Sequence, residues 1–299
     1  MKTNPLLGWV FALPAIVLIA LFLVYPTLRT IQLSFDTGLG FTTTEYVGLD
    51  NYVNLFNDRF FFDVGQWPPT GAVFTTILWL VLFTLGTVGF GLIVAVLANS
   101  VRYEVLIKTI IFVPMAISFT AAGIIWRFVY SPDPKTGILN AVLTGLTPSA
   151  EPIPWLGRTD VVNYAVIGAA IWLSTGFCMV ILSAALKGLS VEVLEAAHVD
   201  GANSWQTFWR ITFPMLWPTI VVVATTMIIN VLKAFDLVFI MTGGGPRGAS
   251  RIIGFTMYNE TFNNGLPGKG SAVAVIMLIV MIPFVIFNIR RFRQEEASR

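Results

Sequence analysis

The chain has 299 residues, 56% of them hydrophobic and 11% charged, with a formal net charge of +2. A soluble domain carries about 25% charged residues, so this composition excludes a water-soluble globule, and the near-balanced charge argues against a nucleic-acid partner. With a mean hydropathy of +0.79, lipid is the solvent for most of the protein.

Six charge-free runs follow in chain order, at 3–28, 64–101, 109–126, 161–186, 211–232 and 270–289. Each reaches the ~17–25 apolar residues that a bilayer crossing needs. They read as helices, because backbone groups in lipid must pair internally and a barrel strand would alternate polar and apolar positions. The first run follows Lys2 as a secretion signal would, but it continues to Leu28 with no Ala-x-Ala-like site after it. An uncleaved helix over 6–28 is therefore expected. Pro68, Pro69 and Gly71 make the start of the second run a loop and leave a helix over 73–98. The third run covers only about 27 Å at ~1.5 Å per residue, so its helix is extended over 108–130 with Arg127 snorkelling outward. The remaining spans are expected over 162–186, 215–241 and 271–289.

Charge placement gives an orientation. With both termini on the cytoplasmic side, inner segments 1–6, 99–108, 187–210 and 290–299 hold nine Lys/Arg in 50 residues. The outer segments 29–70, 131–161 and 241–270 hold seven in 103. Lys and Arg concentrate on the cytoplasmic side of membrane proteins. The expected fold is an all-α integral membrane protein, a single domain over 1–299 with six transmembrane helices and both termini cytoplasmic. Its one cysteine, Cys178, permits no intramolecular disulfide.

Catalytic signals are missing. There is one histidine, His198, and no G-x-x-x-x-G-K-[ST] phosphate loop. Gly243, Gly245 and Gly248 match G-x-G-x-x-G, but they follow a membrane helix and Pro246-Arg247 interrupts them, so they read as an outer turn. Lys233 and Asp236 are spaced to pair on one helix, and Asn230 lies on the same face as Lys233. A proton-coupled transporter usually needs a relay of buried carboxylates or histidines. Asp236 is the one carboxylate inside a span, so energy for uphill transport has to come from another chain.

The loop 187–210, between the fourth and fifth spans, carries the most information. Gly188 can end a helix, Ser190 can cap a new one, and Val191, Leu194 and His198 follow at helical spacing. Gly201 allows a sharp turn, and Ser204 can cap a second short helix bearing Trp205, Phe208 and Trp209. Pro214 and Pro218 mark the start of the next span. The residues alone support a helix–turn–helix on the inner membrane face, either a simple interfacial connector or a lever held by a cytoplasmic partner.

In this loop Glu195-Ala196-Ala197, then Gly201, then Ile211 and Pro214 stand at the offsets of the signature E-A-A, three residues, G, nine residues, I-x-[L/F]-P, with Phe213 where Leu is usual. The chain thereby resembles the permeases of binding-protein-dependent ABC importers of type I. Gly48-Leu49-Asp50-Asn51-Tyr52, Phe112-Val113-Pro114, Gly137-Ile138-Leu139-Asn140 and Met241-Thr242-Gly243-Gly244-Gly245-Pro246 resemble the carbohydrate-uptake branch, and Phe112–Tyr130 resembles the α-glucoside permeases.

The resemblance implies a homologous second permease subunit, two ATP-binding cassette subunits that hydrolyse ATP-Mg, and an extracytoplasmic solute-binding protein. It places the complex in the inner membrane of a bacterium or archaeon, with no catalytic residue, cofactor or metal in this chain. Glu195, Ala196, Ala197, Asp200 and Gly201 become the ATPase-coupling residues. Glu195 would face a basic residue of the ATPase groove, Ala196 and Ala197 would allow close approach, and Gly201 would make the turn. The implied substrate is an α-glucoside such as glucosylglycerol, trehalose, sucrose or maltose, with glycerol 3-phosphate as the alternative. Trp172, Ser174, Thr175, Asn230, Lys233 and Asp236 are the candidates for the substrate path, against ordinary helix packing for the first four and an interfacial ion pair for Lys233 and Asp236. The rival readings are a secondary sugar symporter, a membrane-embedded enzyme and a structural subunit without a path.

Overall fold

Long apolar runs have only helix open to them in lipid, and the described residues form helices and no strand. The computed structural model describes residues 5–37, 45–65, 70–232 and 234–297. α1 (Pro5–Ile19) passes through a π turn into α2 (Tyr25–Leu33), and α3 (Asp50–Phe56) lies in the loop that follows. α4 (Ala72–Asn99) leads to α5 (Glu104–Phe112) and α6 (Phe119–Val129), with α7 (Ile138–Leu146) in the next loop. α8 (Val162–Lys187) precedes α9 (Val191–Val199) and α10 (Ser204–Thr207), and a π turn joins α10 to α11 (Phe213–Leu232). α12 (Asp236–Met241), α13 (Ile253–Tyr258) and α14 (Pro267–Ala297) complete the order.

Five of these helical stretches are long and apolar enough to cross a bilayer: Trp9–Leu33, Ala72–Asn99, Val162–Lys187, Ser204–Leu232 and Pro267–Arg290. The sixth expected span is broken. Glu104–Ala116 and Phe119–Val129 meet at an angle of 103° rather than forming one helix over 108–130. The cause is local. Pro114 sits in a 3-10 turn, Ile117 is extended, and Ser118 restarts the helix by accepting the Ala121 amide at 3.2 Å. The fifth span also departs from 215–241. It begins at Ser204 and ends at Leu232, and Asp236 opens a separate short helix. Gly254 is packed against that break, since a Cβ on it would stand 2.7 Å from the Ala234 carbonyl.

α4 and α8 form the centre. Trp79, Phe83, Val88 and Ala95 meet Val166, Ala170, Met179 and Leu182 in the main core, with Leu216, Val223 and Met227 of α11 closing it. With no water to expel, membrane helices associate through close packing of small residues. Gly91 is such a point, because a Cβ there would stand 2.6 Å from that of Cys178. Gly176 plays the same part against α5, 2.7 Å from the Ile111 carbonyl. The first span, Trp9–Leu33, is different. None of its spanning residues is buried, and Trp9, Phe11, Phe22 and Leu23 lie open.

Two of the resemblance segments prove to be architectural. Asn51 is 8% exposed and its amide donates to the carbonyls of Ser34 and Asp36, both at 2.9 Å. Asn140 is fully buried and ties three backbone groups together: it donates to Ser131 and Ile153 at 2.9 and 2.8 Å and accepts the Ile153 amide at 2.8 Å.

Candidate functional site

After α8 the chain turns back on itself in an exposed helix–turn–helix. Ser190 caps α9 by accepting the Val193 amide at 3.4 Å, and its hydroxyl also holds the Glu192 carboxyl below the ordinary 4.5. The cap of α10 is Asn203 rather than Ser204. The Gln206 amide donates to Asn203 Oδ1 at 2.8 Å and the Asn203 amide to Gln206 Oε1 at 3.0 Å, a reciprocal box that satisfies two otherwise free helix-end donors. Between the helices Gly201 has φ +81°, in the left-handed region, and nothing lies within 4 Å of where its Cβ would be.

Glu195, Ala196, Asp200 and Gly201 are exposed on this unit, beside Val199, Trp205 and Trp209. Ala197 is only 5% exposed. Its carbonyl accepts the Ala202 amide at 3.0 Å across the turn. The side chain expected to admit a partner at this position lies buried within this chain.

The second helix of the unit does not stop. Helix continues from Ser204 through a π turn at Phe208–Thr212 into α11 and on to Leu232. Trp209, Phe213 and Trp217 stack along it, with ring centroids 5.1 and 5.9 Å apart. Near its far end this helix carries Asn230, which faces a cavity of about 210 Å³. Trp79, Phe83, Phe119, Ser174, Asn230 and Asp236 are in the cavity wall. Among the described residues no side chain bonds those of Ser174, Asn230 or Asp236, and the Trp79 indole N–H is buried without an acceptor.

Three of the candidate path residues thus share one wall, and two lie elsewhere. Thr175 is 8% exposed and spends its hydroxyl on the Ile171 carbonyl at 2.7 Å. Trp172 stands edge-on to Trp126, centroids 5.6 Å apart, and is not among the residues of that wall. Lys233 lies outside the described residues. The helix expected to carry both Lys233 and Asp236 is interrupted, with α11 ending at Leu232 and α12 beginning at Asp236.

One cluster had no reading in the sequence. At the ends of α4, α5 and α8, Lys187 pairs with Glu104 at 2.6 Å, and Glu104 also pairs with Lys108. Lys108 donates to Asn99 at 2.7 Å, and Ser183 to Asn99 at 3.0 Å. These polar groups border the apolar runs, which was their only signal, and the fold alone brings them together. The cluster ties together the helix ends next to the helix–turn–helix.

A multi-pass bundle with an internal cavity bearing a few polar groups, joined by one continuous helix to an exposed helix–turn–helix, defines a membrane-embedded permease. The family model for the inner membrane component of binding-protein-dependent transport systems matches residues 87–292, and the chain belongs to that family. It is the permease component of an ABC importer. It is 48% identical to the osmoprotective compounds uptake permease GgtC of Synechocystis sp., over 97% of this chain and 100% of the relative. The α-glucoside transport system permease AglF of Rhizobium meliloti is 39% identical, over 99% of this chain and 85% of the relative. The fold matches a crystal structure of a bacterial ABC transporter that imports the acidic polysaccharide alginate, with TM-score 0.79 at 23% identity, over 96% of this chain and 95% of that one.

Proposed function

We propose that this chain forms one side of the path of an ATP-driven importer of neutral carbohydrates, with an α-glucoside as the substrate. The observation that carries this reading is the continuous helix from Ser204 to Leu232, which joins the exposed loop to the cavity wall at Asn230. In this reading both termini and the 189–209 loop face the cytoplasm. The loop docks on a partner ATPase, a homologous permease supplies the other side of the path, and an external binding protein delivers the solute. The relatives support the substrate class by what their names say they carry, α-glucosides in one case and osmoprotective compounds in the other.

ATP closes the partner dimer, and the dimer binds the inward-facing and outward-facing states of the permease unequally; without that difference it shifts nothing. Glu195, Ala196, Asp200 and Gly201 present the docking face, and the rigid helix behind them carries the displacement to the cavity. Ser174, Asn230 and Asp236 contact the solute. The test is uptake and ATP hydrolysis by the whole complex in vesicles, with Glu195→Ala and Gly201→Val. Both variants are expected to hydrolyse ATP without matching uptake. Normal uptake by normally assembled complexes of both variants would refute the lever.

A further inference from the structure

We propose that Asp236 gives the cavity its charge selectivity, so that it takes one neutral polyhydroxylated ring and turns away the same ring bearing a carboxylate or phosphate. The inference rests on the carbohydrate reading above and narrows it.

The cavity wall combines three kinds of chemistry. Trp79, Phe83, Phe119 and Phe235 supply aromatic surface, on which the C–H faces of a sugar ring can stack. Ser174 and Asn230 supply neutral hydrogen-bonding groups that no other described side chain uses. Asp236 is exposed and lines the same wall at the start of α12. A carboxylate accepts only, through two oxygens, and a pair of sugar hydroxyls can donate to both. An anionic solute offers like charge instead and is repelled at close range. The described lining residues include no cation, and Lys233 lies outside the described residues.

Size gives the other half. About 210 Å³ is below the ~300–1,000 Å³ of pockets that enclose drug-sized ligands, which suits one ring at a time. Aromatic walls with a carboxylate also suit a quaternary ammonium ion, but such an ion has no N–H or O–H at its charged head to engage Ser174 and Asn230. The neutral donor and acceptor pair on the wall therefore favours the polyol.

The experiment is competition against labelled methyl α-D-glucoside on the purified whole complex without its binding protein, so that the permease alone sets the preference. D-glucuronate is expected to compete at least tenfold more weakly than unlabelled methyl α-D-glucoside. Asp236→Asn is expected to cut that gap to less than threefold, and Asp236→Glu to keep it. An unchanged gap in Asp236→Asn would overturn the proposal, as would choline competing better than the glucoside. If Asp236→Asn fails to assemble, loss of the gap in Asp236→Glu overturns it instead. Absence of glucoside accumulation by the wild-type complex supplied with its binding protein would remove the carbohydrate reading itself, and this proposal with it.

Discussion

Ala197 and Gly201 stand in one turn of the exposed loop and are held small for different reasons. Ala197 is buried against its own chain, so Ala197→Leu overfills a packed site at a cost of about 1–3 kcal/mol. Gly201 has open space where a Cβ would go, and only its φ of +81° restricts it. Gly201→Ala should therefore cost only the left-handed penalty, about 1–2 kcal/mol. Thermal unfolding of the complex in detergent, followed for both variants, should rank Ala197→Leu as equal or worse; a larger loss for Gly201→Ala would contradict these assignments. The identity of both residues was legible in the sequence, and the inward turn of Ala197 was not. Spacing fixes which residues share a helix face, but what packs on that face is decided by the turn and the neighbouring helix. Asn51 and Asn140 repeat the lesson, since motif residues that read as family marks are backbone clamps. Asn140→Ala leaves three part-buried backbone groups without their partner and should destabilise the loop around α7, by up to about 1–3 kcal/mol for each group left unsatisfied.

At the scale of elements, long spans were legible because a charge-free run of sufficient length allows nothing else in lipid. The breaks were not. Ser118 caps a new helix inside a charge-free run, and another begins at Asp236 inside a stretch expected as one span; the local geometry that decides this is invisible to hydropathy. The opposite error occurred at Ser204, where a span expected to begin beyond Pro214 is continuous from the loop. Proline there is tolerated because π turns and packed neighbours absorb its lost donor. Continuity makes a test: Ile211→Pro removes a helix donor in the connecting turn and strains the helix by ~3 kcal/mol or more. ATP hydrolysis should persist while uptake falls, whereas a parallel loss of both would indicate failed docking. The ion pair between Asp58 and Lys269 offers a pH test. Partial burial pushes the Asp58 carboxyl up, but Lys269 at 2.9 Å, the Phe60 amide and Arg251 outweigh it and hold it below 3.8. A carboxyl lowered by folding stabilises above its unfolded value, and that contribution is lost as pH falls through the folded one. The clamp between Asp58 and Lys269 should hold at neutral pH and weaken only below about 3.8. Hydrogen exchange at residues 58–62 should rise there in the wild type and be raised at all pH values in Asp58→Asn.

For the whole molecule, the multi-pass class and the importer family were legible from charge-free runs and one spaced loop motif. The cavity was legible only in part. Ser174, Asn230 and Asp236 stood out as polar residues in apolar runs, but Trp79, Phe83 and Phe119 look like any membrane aromatic until the fold gathers them. The Glu104–Lys108–Lys187 cluster was hidden for the same reason, because its members come from separate helix ends. Orientation can be read directly. The single cysteine, Cys178, is buried and can be replaced, so a new cysteine at Asp200 should react with an impermeant maleimide from the cytoplasmic side only and one at Asn264 from the outside only. The reverse pattern would invert the proposed topology.

The central claim is that uptake through this chain is driven by a partner's ATP through the exposed loop. The most direct measurement is accumulation of a neutral α-glucoside in vesicles holding this chain alone or the complete complex with its binding protein. Accumulation that requires the partner permease, the ATPase, the binding protein and ATP is the expected result. Accumulation by this chain alone under a proton or sodium gradient would contradict it.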